Sequence, residues 1–165
     1  MNSKAKVTVA IAAVFVFAVG SSRATYAAPP KDACALLTPA QVSAVLGVPA
    51  AGKALGSKSC IWVQTGVKPG SPRGRVDVVI LIMQGYTQGY AVAKMPNAPT
   101  SATHVSGLGD DAYYLSMTSG EAMELRVKKG SVAFGILVQR SGTLFTPDQI
   151  KAKEKTLALD VLAKL

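Results

Sequence analysis

The chain has 165 residues, with 18 lysines and arginines against nine acidic residues and a single histidine. That length suits one domain with a sizeable core. One histidine and two cysteines are too few for the usual three- or four-ligand zinc site, and scattered basic charge without long runs argues against a nucleic-acid interface.

The first segment, "MNSKAKVTVAIAAVFVFAVGSSRATYAA", places Lys4 and Lys6 before an apolar run from Val7 to Val19, then polar and small residues. That order is a secretory signal peptide, and the run is too short to span a bilayer comfortably. Cleavage is expected after Ala27, with Ala24 the alternative. The expected organisation is a signal peptide over 1–27 and one domain over 28–165. Lys4, Lys6 and Arg23 leave with the leader, so 15 basic against nine acidic residues give the mature domain +6. A periplasmic or secreted domain, soluble after cleavage and without a later transmembrane segment, is expected.

Cys34 lies well beyond the cleavage site, so its position excludes lipidation. Cys60 is 26 positions further on, which excludes a C-x-x-C redox pair. The remaining reading is a Cys34–Cys60 disulfide in an oxidising compartment.

Between the cysteines, "LLTPAQVSAVLG" predicts a short helix. Thr38 is its N-cap, Pro39 its first residue and Gln41 the return arm of a capping box, with Gly47 as the left-handed stop. Leu37 and Val42 are spaced as a hydrophobic staple, and Val42, Val45 and Leu46 form the apolar stripe. "AAGKALGSK" reads as a loop or irregular extended connection, and "SCIWVQ" as a strand. "TGVKPGSPRG" is a breaker-rich loop. "RVDVVILIMQ", residues 75–84, is apolar on both faces, which predicts a central strand covered on both sides. "YTQGYAVAK" predicts a short helix weakened by Gly89, ended by "MPNAPTS".

"DAYYLSMT", "EAMELRVKK" and "SVAFGILVQR" predict a three-strand meander turning at "SG" and "KKGS". On its middle strand Met123, Leu125 and Val127 are assigned to the core, and Glu124, Arg126 and Lys128 to water. "FTPDQIKAKEKTLALDVLAKL" closes the chain as a long amphipathic helix with a second capping box, Thr146, Pro147 and Gln149. Phe145 and Ile150 repeat the staple spacing. The stripe is Ile150, Leu157, Val161 and Leu165, with Ala158 and Leu162 beside it. The expected fold is α+β, an antiparallel sheet of about five strands with the long C-terminal helix packed on it. The short disulfide-tethered N-terminal helix is pinned at an edge or on the other face.

"ACALLTPAQVSAVLGVPA", "SCIW", "VSGLGDDAYYL", "LRVKKGSVAFGILV" and the closing helix resemble, in order, a group of small secreted bacterial domains of unknown function, many of them lipoproteins. The resemblance implies an α/β sandwich with a cysteine bridge, and some similar envelope domains have a PsbP-like sandwich. It carries over no catalytic residues. The absence of a cysteine at the cleavage site implies free periplasmic residence.

The candidate binding surface is Tyr86, Tyr90, His104, Asp110, Asp111 and Tyr113. His104, in "TSATHVSGLGDD", is the only candidate general base, and no G-x-S-x-G elbow accompanies it. Asp110 and Asp111 lack calcium-loop spacing, so a glycine turn with Asp-mediated hydrogen bonds is preferred over a cation site. Met83, Met117 and Met123 are read as core filling rather than as copper ligands with Met95 and His104. The tyrosines, Tyr114 included, line either a ligand groove or a half-buried sheet edge.

These readings converge on a non-enzymatic exported domain that binds an envelope protein, polymer or small ligand, with no cofactor, no metal and no nucleic acid. The alternatives are a hydrolase using His104, and an inhibitor presenting a loop at 49–58 or 64–74 to an envelope-attacking enzyme.

Overall fold

The computed structural model describes residues 30–68, 71, 73–117, 123–140 and 145–165. The leader, its cleavage site and the expected "SG" turn lie outside the described residues. Both Thr-Pro starts form as their sequences dictate. In α1 (Pro39–Leu46) the Gln41 N–H donates to Thr38 Oγ1 at 3.2 Å, while the Thr38 N–H donates to Gln41 Oε1 at 2.9 Å. In α3 (Pro147–Leu162) Thr146 and Gln149 repeat the exchange at 3.3 and 2.8 Å. Each box satisfies two helix-end donors that would otherwise lack partners.

Among the described residues the sheet is fully antiparallel and has seven strands rather than the expected five or so. They are β1 (Ala50–Ala54), β2 (Ser59–Gln64), β3 (Gly74–Leu81), β4 (Thr100–His104), β5 (Asp111–Met117), β6 (Met123–Lys129) and β7 (Val132–Arg140). Their spatial order is β1-β2-β3-β7-β6-β5-β4, with β3 and β7 paired from Gly74↔Arg140 to Leu81↔Ala133 at the centre. The two strands beyond the expected five are the edges. β1 forms because the Leu55 N–H donates to the Ser59 carbonyl across a turn in which Gly56 takes φ +68°. Its Gly52 lies under the Trp62 ring, where a Cβ would come within 2.9 Å of the indole. β4 buries only Ala102, which is why its stretch reads as a polar loop.

The first helix is pinned at the β1 edge of the sheet, one of its two expected positions, and it packs beside α3 on the same face rather than on the other. Val42 and Leu46 of α1, Leu157 and Val161 of α3, and Trp62, Val76, Val78, Val127, Phe134 and Ile136 of the sheet make the main core. The Cys34–Cys60 bridge is present, with Cα atoms 5.0 Å apart, and ties a short 3-10 turn over Ala33–Leu36 to β2. Cys60 is completely buried.

The opposite face carries α2 (Met83–Ala93), which crosses β4, β5 and β7. Successive residues of a strand point to opposite faces, so Tyr113 packs under α2 while Tyr114 donates to the Lys151 carbonyl of α3. α2 begins where the central strand was expected to continue. Ile82 is its N-cap and is 69% exposed. β3 is therefore deeply buried on the Val76–Val78–Ile80 side and only partly covered on the other. Among the described residues no helix is long and apolar enough to cross a membrane.

Candidate functional site

The corner where α2 lies across β4 and β5 gathers five of the six candidate residues. The "GLGDDAYY" turn comes first. Gly107 and Gly109 take φ +77° and +59°, and the Asp110 N–H donates to the Lys128 carbonyl at 2.8 Å. The Asp110 carboxylate then accepts from the Gly130 N–H at 2.6 Å, binding this turn to the β6–β7 turn. Asp110 thus lines a separate surface hollow with Lys128, Gly130 and Ser131 and stands apart from the other five.

Asp111 opens β5 and faces α2. One of its oxygens accepts from the Tyr86 hydroxyl at 2.9 Å, and the other lies 3.4 Å from His104 Nε2 on β4. The Tyr113 hydroxyl donates to the Tyr86 backbone carbonyl at 2.7 Å. The Tyr86 and Tyr90 rings each stand 5.1 Å from the Tyr113 ring, tilted and edge-on respectively, a favoured aromatic geometry. Lys94 Nζ sits 5.3 Å over the Tyr90 ring.

Two residues assigned to water complete the corner. Arg126 donates from Nε to Glu124 at 2.9 Å, and its Nη1 reaches the Gly85 carbonyl and the Tyr113 hydroxyl at 3.5 Å. Their alternation with Leu125 and Val127 identifies the second face correctly, but α2 returns across that face and half-buries both. A Cβ at Gly89 would collide with Arg126 Nη1, so the glycine that weakens the helix is what lets it approach the sheet.

The electrostatics follow from this packing. Burial pushes the Tyr86 phenol up, and its bond to Asp111 and that carboxylate's charge push it further. Tyr113 is also raised by burial, against the opposing pull of Arg126. Burial works against the charge of Arg126, but Glu124 and Tyr113 outweigh it and raise its pKa. Tyr86 and Tyr113 are therefore neutral donors at any physiological pH. The outward part is the His104–Asp111 pair, whose side chains are 61% and 45% exposed.

Tyr114 is not part of this surface, because it faces α3. Met83 and Met123 pack against the two cores, but Met117 is 45% exposed and does not fill the core. In the "IKAKEK" stretch of α3, Lys153 Nζ donates to the Val45 carbonyl and lies 4.3 Å over the Phe145 ring. One group outside the corner was legible and missed. Glu154 is fully buried, on the stripe between Ile150 and Leu157. Among the described residues no group of three or more His, Cys, Asp or Glu side chains could hold a metal ion.

No protein-family model, no curated protein and no solved structure matches the chain.

Proposed function

We propose that the chain is an exported, non-enzymatic binding domain of the cell envelope that meets its partner at the His104–Asp111 rim of the α2 corner. The observation that carries this reading is how the corner spends its polar groups. The Tyr113 hydroxyl and the Arg126 guanidinium are taken up by the backbone of α2, by Glu124 and by each other. Tyr86 holds Asp111 from behind. The result is a recognition rim whose exposed carboxylate, Asp111, is set by the buried Tyr86, and such preorganisation lowers the cost of binding. The leader pattern, the Cys34–Cys60 bridge and the resemblance to secreted bacterial domains support the compartment. The +6 charge of the mature domain favours an envelope protein or polymer over a small ligand.

The test has two parts. Native and denaturing mass spectrometry on protein recovered from its own exported fraction should give a mass beginning after Ala27, two hydrogens short until reduced. An intact leader or two free thiols would overturn the compartment. Binding to envelope proteins or polymers identified by crosslinking should weaken about tenfold in H104A/D111N, the loss of a charged contact. Binding indifferent to that change would overturn the site.

One observation favours the hydrolase alternative. A histidine beside a carboxylate is the base-and-orienter half of a Ser-His-Asp arrangement, and His104 Nε2 lies 3.4 Å from an Asp111 oxygen. Among the described residues no hydroxyl hydrogen-bonds the His104 ring. Ester or peptide hydrolysis abolished by H104A would establish this reading, and activity unchanged by H104A would remove it. The inhibitor alternative keeps the 64–74 loop and, since half of the 49–58 segment is β1, the exposed 55–58 turn; unchanged enzyme inhibition after trimming 67–73 would count against the first of them.

A further inference from the structure

The two edges of the sheet are not equivalent. The edge backbone of β1 is already engaged: the Ala50 N–H donates to Ser43 Oγ of α1 at 2.9 Å. β1 also carries Gly52 and Lys53, a poor strand former and an edge-protecting charge. β4 has neither defence. Its five residues, Thr100–His104, include no lysine, proline or bulge, and it ends the sheet order.

The hydrogen-bond phase of β4 shows which groups are free. The Val105 N–H donates to the Ala112 carbonyl of the β5 side at 2.8 Å. Backbone groups alternate in direction along a strand, so Ser101 and Thr103 also bond toward β5. Thr100, Ala102 and His104 therefore direct their N–H and C=O groups away from the sheet. Among the described residues no hydrogen bond satisfies them.

We propose that this edge pairs with β4 of a second copy, antiparallel about a two-fold axis at Ala102, joining two seven-stranded sheets into one. The sequence is self-complementary in that register. Ser101 falls opposite Thr103 of the second copy, and Thr100 opposite its His104. Paired hydroxyls and a histidine beside a threonine are compatible cross-strand neighbours, and no like charges face each other. The three outward residues of each copy supply matching donors and acceptors, as an isologous contact requires. The edge also has apolar cover to offer. Ala93 of α2 packs with Ala102, and the neighbouring Val92 and Met95 are 44% and 58% exposed. This inference goes beyond the binding reading and does not depend on it.

The experiment is a concentration series of the mature chain by light scattering and native mass spectrometry. The wild type should reach a dimer. S101K/T103K places two lysine pairs in opposition across the axis and should raise the dimer dissociation constant about tenfold or more. Both positions are exposed, so its thermal unfolding as a monomer should be unchanged. S101E/T103K puts glutamate opposite lysine in the same register and should restore the dimer. If the doubly basic chain fails to fold, S101E/T103E with the same expected loss decides. A wild type monomeric at every concentration overturns the inference, as does a dimer insensitive to like charges at 101 and 103.

Discussion

Glu154 of α3 accepts a hydrogen bond from the Val138 N–H of β7 at 3.0 Å, and it does so from a completely buried position. The β6–β7 pairing runs from Lys129↔Val132 to Leu125↔Ile136, whereas β7 continues to Arg140. Glu154 thus stands in for the missing strand partner of Val138. Its second oxygen has no partner among the described residues.

This arrangement makes stability depend on pH. Burial raises the Glu154 pKa to about 8; the Val138 N–H opposes the rise and the Glu124 charge adds to it. A folded-state pKa above the unfolded value means that the folded protein retains a proton the unfolded chain has released. The cost is absent below about pH 4.5, grows through the interval to about pH 8, and is constant above it. Its size is about 3–5 kcal/mol at the upper limit. E154Q should leave stability near pH 4.5 almost unchanged, and by pH 9 exceed the wild type by several kcal/mol. Urea unfolding at the two pH values gives the comparison. Equal pH slopes for the two proteins would remove the assignment.

The corner makes a separate prediction about which hydroxyl matters for stability. Y113F deletes a buried donor to the Tyr86 carbonyl and leaves Arg126 with one acceptor fewer. Y86F deletes a bond to the half-exposed Asp111, whose freed oxygen can be solvated. Y113F should cost about 1–3 kcal/mol and Y86F about 1 kcal/mol or less. The reverse order in denaturant unfolding would mean that α2 is not held to the sheet by Tyr113.

The limits of legibility follow from locality. The capping boxes at Thr38 and Thr146 could be read because each is closed by residues three positions apart. The meander could be read because its apolar positions alternate. β1 and β4 could not, since an edge strand needs neither alternation nor β-branched residues when its neighbour supplies the ladder. Arg126 was assigned to water because its alternation reports a face, not what later crosses it. The pairing of Asp111 with Tyr86, and its separation from Asp110, depend on where α2 lies. Glu154 is different: its stripe position was visible, and its charge hid it.

The glycine turn gives a contrast between two positions of positive φ. At Gly107 a Cβ would meet nothing within 4 Å, so G107A should cost only the left-handed backbone penalty, about 1 kcal/mol. At Gly109 a Cβ would collide with the Lys128 carbonyl, a backbone atom of β6 that already accepts from the Asp110 N–H. G109A should therefore cost at least about 2–3 kcal/mol and loosen the Asp110–Gly130 link. Thermal unfolding ranks the two variants, and equal losses would mean that this turn is not packed on β6.

The disulfide closes a 26-residue separation that contains α1, β1 and the first residue pairs of the sheet. Cross-linking a loop of that size removes about 3.5 kcal/mol of unfolded-chain entropy. The native cost of losing it adds to this only slightly, because Cys60 remains packed in the core as a small apolar side chain. C34S should therefore cost less than C60S: Cys34 is partly exposed, whereas a serine at Cys60 would bury a hydroxyl. C34A/C60A should lower stability by about 3–4 kcal/mol with the native circular dichroism retained, since α3, β6 and β7 do not depend on the bridge. Denaturant unfolding with and without reductant should reproduce that difference in the wild type. A reduced protein as stable as the oxidised one would mean that the packing of α1 on β1–β3, not the bridge, holds the N-terminal segment in place.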